Sequence, residues 1–382
     1  GSGGTKGASV GSGSIDLNTG AVTTGAGKAN AEGVNISDLR NITASGQLNI
    51  MGVSRTSVGV SNIAKLTGGT VNIKGISEGA GSGISTSGLI TSTVGDVNLE
   101  GISVNGNGVI SYSAINAKGN AAITGTSTGT GGSASALSVW GNVTADQNVT
   151  LKGTNAASGN NLAAVFTNKA ITATNGKIDV TAPTKGTSAN ALQIYNGANL
   201  TAATEINLKA DTLSISTATT PATINAGNGA GIVTIKTDST DAKINVGASD
   251  AGSVTTNART LGLTKAELDR ITAGKTVIGD ANNTGGITVS AATTTLAQTG
   301  DITLHTAGNI AVTKALTVGD AGATKNLTVN GAGPNSTITQ AEAIKANGLE
   351  LLGANATHTL NNSGNKVVTL AADVKKVEYT NS

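Results

Sequence analysis

Short runs of alternating apolar and polar residues recur along this chain: Leu48-Asn49-Ile50, Val71-Asn72-Ile73, Val97-Asn98-Leu99, Ala121-Ala122-Ile123, Val149-Thr150-Leu151, Ile178-Asp179-Val180 and Ile206-Asn207-Leu208. Their starts lie 23, 26, 24, 28, 29 and 28 residues apart. Strict alternation over so few residues predicts short strands with one buried and one wet face. An aliphatic residue precedes each run, at Ile42, Leu66, Ile90, Ile115, Val143, Ile171 and Leu200, so each unit opens with a short strand, turns and runs a second. A third strand is read at Ala136-Leu137-Ser138-Val139, Leu162-Ala163-Ala164-Val165 and Ala191-Leu192-Gln193-Ile194. The stretches between, such as Ser77-Glu78-Gly79-Ala80-Gly81-Ser82-Gly83, are rich in the residues that make turns.

A unit of this size cannot bury a core alone, so the units must stack on one another. Three strands per turn, each pairing with its equivalent one unit away, predict an all-β fold: a right-handed parallel β-helix, or solenoid, of 23–29 residues per coil. At the spacing of neighbouring strands this amounts to roughly fifteen coils and a rod on the order of 70 Å. After Ala210 the same alternation continues in shorter units at Leu213-Ser214-Ile215, Ile232-Val233-Thr234-Ile235, Ile244-Asn245-Val246, Ile287-Thr288-Val289, Ile302-Thr303-Leu304, Ile310-Ala311-Val312 and Leu327-Thr328-Val329. The chain therefore divides softly into 1–210 and 211–382, by a change of repeat style and not by a linker. One segment breaks the alternation. Apolar residues at Leu263, Leu268 and Ile271, with Thr264 and Glu267 spaced as a capping box, predict one or two helical turns near 264–271.

Composition narrows the function. The 382 residues include 54 Gly, no Cys, 1% aromatic and 12% charged residues, against about 25% charged in an average globular protein. A compact core built on aromatic rings is excluded. The 24 basic and 22 acidic residues are scattered, and only Arg40, Arg55, Arg259 and Arg270 carry guanidinium groups, so nucleic acid is a poor candidate partner. The lack of Cys suits a secreted product, and no apolar run is long enough to insert in a membrane. Residues 1–14 lack the features of a signal peptide, which reads as an excised piece. Gly1-Ser2-Gly3-Gly4 fits an appended linker and native Gly/Ser-rich sequence equally.

The segment LGLTKAELDRITAGKTVIGDANNTGGITVSA, residues 261–291, resembles the repeat region of filamentous haemagglutinin-like adhesins, the large exoproteins of bacterial two-partner secretion. Residues 349–381, LELLGANATHTLNNSGNKVVTLAADVKKVEYTN, are similar to another recurrent unit of that family, and the two segments cover about a sixth of the chain. The resemblance implies a right-handed β-helical shaft, with 211–382 made of shorter haemagglutinin-like repeats. It also implies export through an outer-membrane transporter recognised by a module outside this segment, and display or release at the surface of a Gram-negative bacterium. The family's Asn-Pro-Asn type secretion motif is not matched by Gly333-Pro334-Asn335-Ser336.

The candidate binding residues are aromatic. Four of the five rings fall at Tyr112, Trp140, Phe166 and Tyr195, in steps of 28, 26 and 29, as a ladder would in a stacked solenoid. Alternation in the third strand sends Trp140 and Tyr195 outward, where a stripe of rings would serve sugar rings or a partner surface. The competing account is corner packing, each ring shielding the turn that follows it. Asn142, Asn168, Asn196 and Asn199 recur at the same turns and suggest a stacked amide ladder. Triplets such as Asn142-Val143-Thr144 match a glycan acceptor pattern but carry no weight in so Ser/Thr-rich a chain.

No cofactor or metal is expected: His305 and His358 stand alone, and no Gly-Gly-X-Gly-X-Asp calcium repeat occurs. Catalysis is not expected either, because Asp96, Asp146, Asp179 and Glu205 drift in their coils while Lys74, Lys152 and Lys209 align only as a short basic row. The expected function is a non-enzymatic extracellular adhesin shaft, supporting attachment, aggregation or biofilm by presenting a distal module. The alternative is direct binding of glycan or matrix polymer through the aromatic ladder. Unpaired strand rows at the ends of a solenoid also invite end-to-end self-association.

Overall fold

A computed structural model describes residues 33–36, 41–129, 134–156, 163–183, 191–251 and 259–382, with short strands at 9–10, 14–15 and 22–23. Gly1–Gly4, Arg40 and Leu162 lie outside the described residues. The chain is all-β, its parallel sheets forming a β-solenoid with about 3% helix. Two compact units are present, Gly1–Thr201 and Ala202–Ser382. Together they hold about 11 turns, fewer than the fifteen expected. The last coils are built differently: Ile344–Leu360 pairs in parallel with the three strands Leu316–Thr317, Leu327–Gly331 and Thr337–Gln340 of the coil before it, and Lys366–Tyr379 stacks on Ile344–Leu360 in turn.

In the first unit each coil crosses three faces. A first short face carries Val34–Ile36, Val60–Asn62, Ile84–Thr86, Val109–Ser111, Leu137–Val139, Val165–Thr167 and Leu192–Ile194. A second short face includes Leu66–Gly68, Ile90–Ser92, Ile115–Ala117, Val143–Ala145 and Ile171–Ala173. The long face carries Gln47–Ser54, Thr70–Ser77, Val97–Ser103, Ala121–Ser127, Val149–Asn155 and Ile178–Ala182. Every pairing between neighbouring long-face strands is parallel and in register, so like stacks on like. Leu48, Val71, Val97, Ala121, Val149 and Ile178 form one inward column, each at most 3% exposed. Burying one such aliphatic side chain is worth about 1.5–3 kcal/mol, which repetition turns into the stability of the stack.

One reading of the third strand is corrected. In the coil containing Phe166 the strand runs Val165–Thr167 and not from Leu162, with Val165 opposite Leu137 and Leu192. The alanines that superpose are Ala136, Ala164 and Ala191, whose carbonyls accept from Val109, Leu137 and Val165 in turn.

The first four strands of the long face end on a buried small hydroxyl, Ser54, Ser77, Ser103 or Ser127. These side chains cap the loop that follows: Ser54 Oγ accepts from Ser57 N at 2.9 Å, and Ser103 Oγ accepts from Gly106 N at 2.7 Å. Two residues earlier stands a column of glycines, Gly52, Gly75, Gly101, Gly125 and Gly153. The returning chain presses onto it, so that a Cβ at Gly101 would sit 1.9 Å from Gly108 O. Since both sides of that contact are backbone, Gly101→Ala is expected to lower stability at the top of the range of about 1–3 kcal/mol typical of overpacking. Gly46→Ala, which meets nothing within 4 Å, is the control. Equal urea midpoints for the two variants would show that the pinch is not tight.

The second unit realises the expected strands, among them Ile232–Lys236, Lys243–Val246, Ile287–Val289, Asp301–Thr306, Ile310–Val312 and Leu327–Gly331. The helical turn is also there, at Lys265–Leu268. Thr264 Oγ1 accepts from Glu267 N, and a Glu267 carboxylate oxygen accepts from Thr264 N at 3.0 Å, completing the capping box.

Candidate functional site

The corner that follows the first short face carries Ile63, Ser87, Tyr112, Trp140, Asn168 and Tyr195 at equivalent positions, one per coil. Four of these are among the most exposed large apolar side chains of the molecule: Ile63 at 49%, Tyr112 at 52%, Trp140 at 40% and Tyr195 at 51%. Five coil steps of about 4.8 Å make this an apolar edge about 24 Å long. The backbone is held throughout, with Tyr112 N, Trp140 N and Tyr195 N donating to Thr86 O, Ser111 O and Thr167 O.

Phe166 is not at the corner. It sits inside its strand, opposite Ser138 and Gln193, two residues before the position that Asn168 occupies. From there it bridges the gap that Asn168 leaves in the ring column: its centroid is 4.7 Å from Trp140 and 5.8 Å from Tyr195, with ring planes inclined by 36° and 35°. Such pairs contribute about 0.5–1.5 kcal/mol beyond burial. The structure thus brings Trp140, Phe166 and Tyr195 into one cluster, while Tyr112 holds the matching corner with no ring contact among the described residues. Close tilted stacking occupies part of each ring's face and turns edges outward, so the cluster serves corner packing and surface exposure at once.

Asn142 and Asn168 do not stack on one another in the amide ladder expected of them with Asn196 and Asn199. Asn142 precedes Val143 on the second short face and accepts from Ala170 N at 3.3 Å, whereas Asn168 follows Thr167 on the first, with its Oδ1 buried and unpartnered. Residues at different register positions cannot superpose. Two other ladders exist instead. On the outer side of the long face Asn98 Nδ2 donates to Asn72 Oδ1, and Asn72 Nδ2 to Asn49 Oδ1, both at 2.8 Å. At the corner before that face, Asp96 Oδ1 accepts from Asn120 N and Nδ2 at 2.7 and 3.1 Å, and Asn120 Oδ1 accepts from Asn148 Nδ2 at 3.0 Å. The sequence signal for the first was visible, since Asn49, Asn72 and Asn98 are the middle residues of three consecutive alternating runs.

Charged groups are dispersed into pairs. Lys74 and Lys152 do share a column, but Glu100 and Thr124 stand between them, and Lys74 pairs with Glu100 at 2.8 Å. Lys209 pairs with Asp238 at 2.8 Å, Asp146 with Lys118 at 2.9 Å and Asp179 with Lys177 at 3.0 Å. No group of three or more His, Asp or Glu side chains is placed to hold a metal ion among the described residues.

Two carboxylates of the second unit act together on backbone. Leu213–Ile215 is the last strand of its sheet. Its alternate N–H groups are taken by side chains, Leu213 N by Asp250 at 2.8 Å and Ile215 N by Glu267 at 3.1 Å. The carboxylates thereby replace the carbonyls of a further strand and close the edge. Burial, opposed by the Gly262 and Leu213 N–H bonds and aided by the Glu267 charge, pushes the Asp250 carboxyl up to about 7.

The class that fold and site define is a β-solenoid with an exposed aromatic corner. No family model matches the chain, and neither the curated proteins nor the solved structures provide a match. No helix among the described residues is long and apolar enough to cross a membrane.

Proposed function

We propose that this chain is a non-enzymatic shaft segment of a filamentous haemagglutinin-like adhesin, a spacer that carries a distal module at a bacterial surface. The observation that supports this reading is register: coil after coil superposes the same side-chain types on all three faces of the first unit, a construction suited to reach and not to a converging catalytic constellation. Export through a two-partner transporter and location outside the cell belong to the same proposal and rest on the resemblance of residues 261–291 and 349–381.

A second reading, direct contact with glycan or matrix polymer through Tyr112, Trp140, Phe166 and Tyr195, is favoured by the exposure of the corner edge. Trp140 is the sole Trp, so its fluorescence reports on that cluster. Titration with soluble polysaccharides and bacterial matrix extract is expected to leave its emission unchanged if the segment is a spacer. A saturable shift, lost with competing free polymer, would replace the spacer by the binding reading.

A further inference from the structure

The outer side of the long face should be flat, because it is a sheet of in-register strands, yet it holds a concavity of about 520 Å³. Its origin is a change of side-chain size within two columns. The amide column Asn49–Asn72–Asn98 gives way to Ala122, and the column Met51–Lys74–Glu100 gives way to Thr124. Thr150 and Lys152, one coil further on, are exposed and do not line it. The depression is therefore walled along the stacking direction by Asn98 and Glu100 and floored by Ala122, Thr124 and Thr126.

The wall offers acceptors. The amide ladder is directional, each Nδ2 donating to the coil before it, so Asn98 Oδ1 faces the coil of Ala122, where no donor among the described residues reaches it. A chain of amide bonds polarises its terminal oxygen and makes it a stronger acceptor. Beside it Glu100 is anchored to Lys74 through Oε1 alone, leaving Oε2 open among the described residues. The ion pair keeps this wall neutral in sum. The floor offers the Thr124 and Thr126 hydroxyls as donors.

We propose that this concavity is a binding site for an uncharged, polyhydroxylated chain, a neutral glycan lying along the stacking direction. Vicinal hydroxyls match an amide oxygen and a carboxylate oxygen on the wall and two threonine hydroxyls on the floor, while the C–H face of a sugar ring covers the Ala122 methyl. The volume lies in the range of about 300–1,000 Å³ usual for small-ligand sites. This site deepens the glycan reading but stands on a different face from the aromatic corner.

The test uses the full chain and a panel of neutral hexasaccharides, the glucose, N-acetylglucosamine and mannose homopolymers, with hexagalacturonate as the acidic comparison, each up to 5 mM by saturation-transfer NMR. At least one neutral member is expected to bind, and Asn98→Leu, which removes the acceptor at similar volume, to weaken it tenfold or more. Ala122→Asn, which continues the amide ladder and fills the depression, is expected to abolish binding while keeping the thermal unfolding midpoint. Trp140→Ala is expected to leave it unchanged, which separates this site from the corner. Failure of every neutral hexasaccharide, stronger binding of the acidic one, or binding that survives Ala122→Asn overturns the proposal.

Discussion

Asp211→Ala is expected to cost the second unit about 3–5 kcal/mol, the range found when one partner of a buried ion pair is removed. The Asp211 side chain is 2% exposed and that of its partner Arg259 15%, with Nη1 to Oδ2 at 3.1 Å. The same carboxylate accepts from Asp238 N at 2.8 Å and Ser239 N at 2.7 Å through Oδ1, and from the Ser239 hydroxyl through Oδ2. Alanine would leave a guanidinium in a poorly solvated place and two backbone N–H groups without acceptors, and both losses are costly. Asp211→Asn keeps the shape and one acceptor oxygen but not the charge, so its cost should be smaller. Urea unfolding followed by far-UV circular dichroism measures both. A loss under 1 kcal/mol for alanine would mean that Arg259 reaches water freely and that the loop from 238 does not depend on this anchor.

The second large effect is a pH dependence with an unusual sign. Asp250 titrates at about 7 in the folded chain against an ordinary 3.8. The folded state therefore holds a proton that the unfolded state has released between these values, so the contribution of Asp250 to stability is full below about pH 4 and is lost as pH rises through 7. Three units at about 1.36 kcal/mol each bound the loss at roughly 4 kcal/mol. His305 and His358, both lowered by burial, act in the opposite sense: their contribution is lost as pH falls below the ordinary value of 6.5. The comparison that isolates Asp250 is the difference in unfolding free energy between the native chain and Asp250→Asn, taken at pH 5, 6, 7 and 8. That difference should shrink with rising pH by at most about 1.4 kcal/mol per unit, on top of a constant cost because the Asn amide cannot accept from both Leu213 N and Gly262 N. A difference constant across the series would show that the two N–H bonds keep Asp250 ionised throughout and outweigh its burial.

Both sites explain why the repeat changes style near residue 211. Strand Leu213–Ile215 is closed by carboxylates from 37 and 52 residues downstream, and the residues just before it are anchored by Arg259, 48 residues away. Closing the edge with side chains removes the template on which another strand would add. The helical turn at Lys265–Leu268 gains a purpose from the same contacts, because its capping-box residue Glu267 is also the group that caps Ile215.

The apolar corner edge and the long-face concavity differ in how they arise. At the corner, side chains project because the turn leaves them no core to enter, and Phe166 fills the coil where Asn168 stands between Trp140 and Tyr195. On the long face, a recess forms because two columns lose bulk in the same coil. The first was marked by residue type, four rings at nearly even spacing. The second is marked by what is missing from a column, which becomes meaningful once the columns are known.

Local pattern alone determined the strand content, the three strands per coil, the inward columns and the capped helical turn, because alternation and capping act over two to four residues and each coil repeats them. Register across coils was decided by the tertiary structure. Loop lengths vary from coil to coil, and a slip of a few residues sends Phe166 to a different column from Trp140 and Tyr195, or parts Asn142 from Asn168. The amide ladder at Asn49, Asn72 and Asn98, the anchor at Asp211 and the carboxylate closure by Asp250 and Glu267 likewise depend on residues 23 to 52 positions apart meeting within hydrogen-bond distance. The packing of whole coils sets such meetings, and no short window of sequence encodes them.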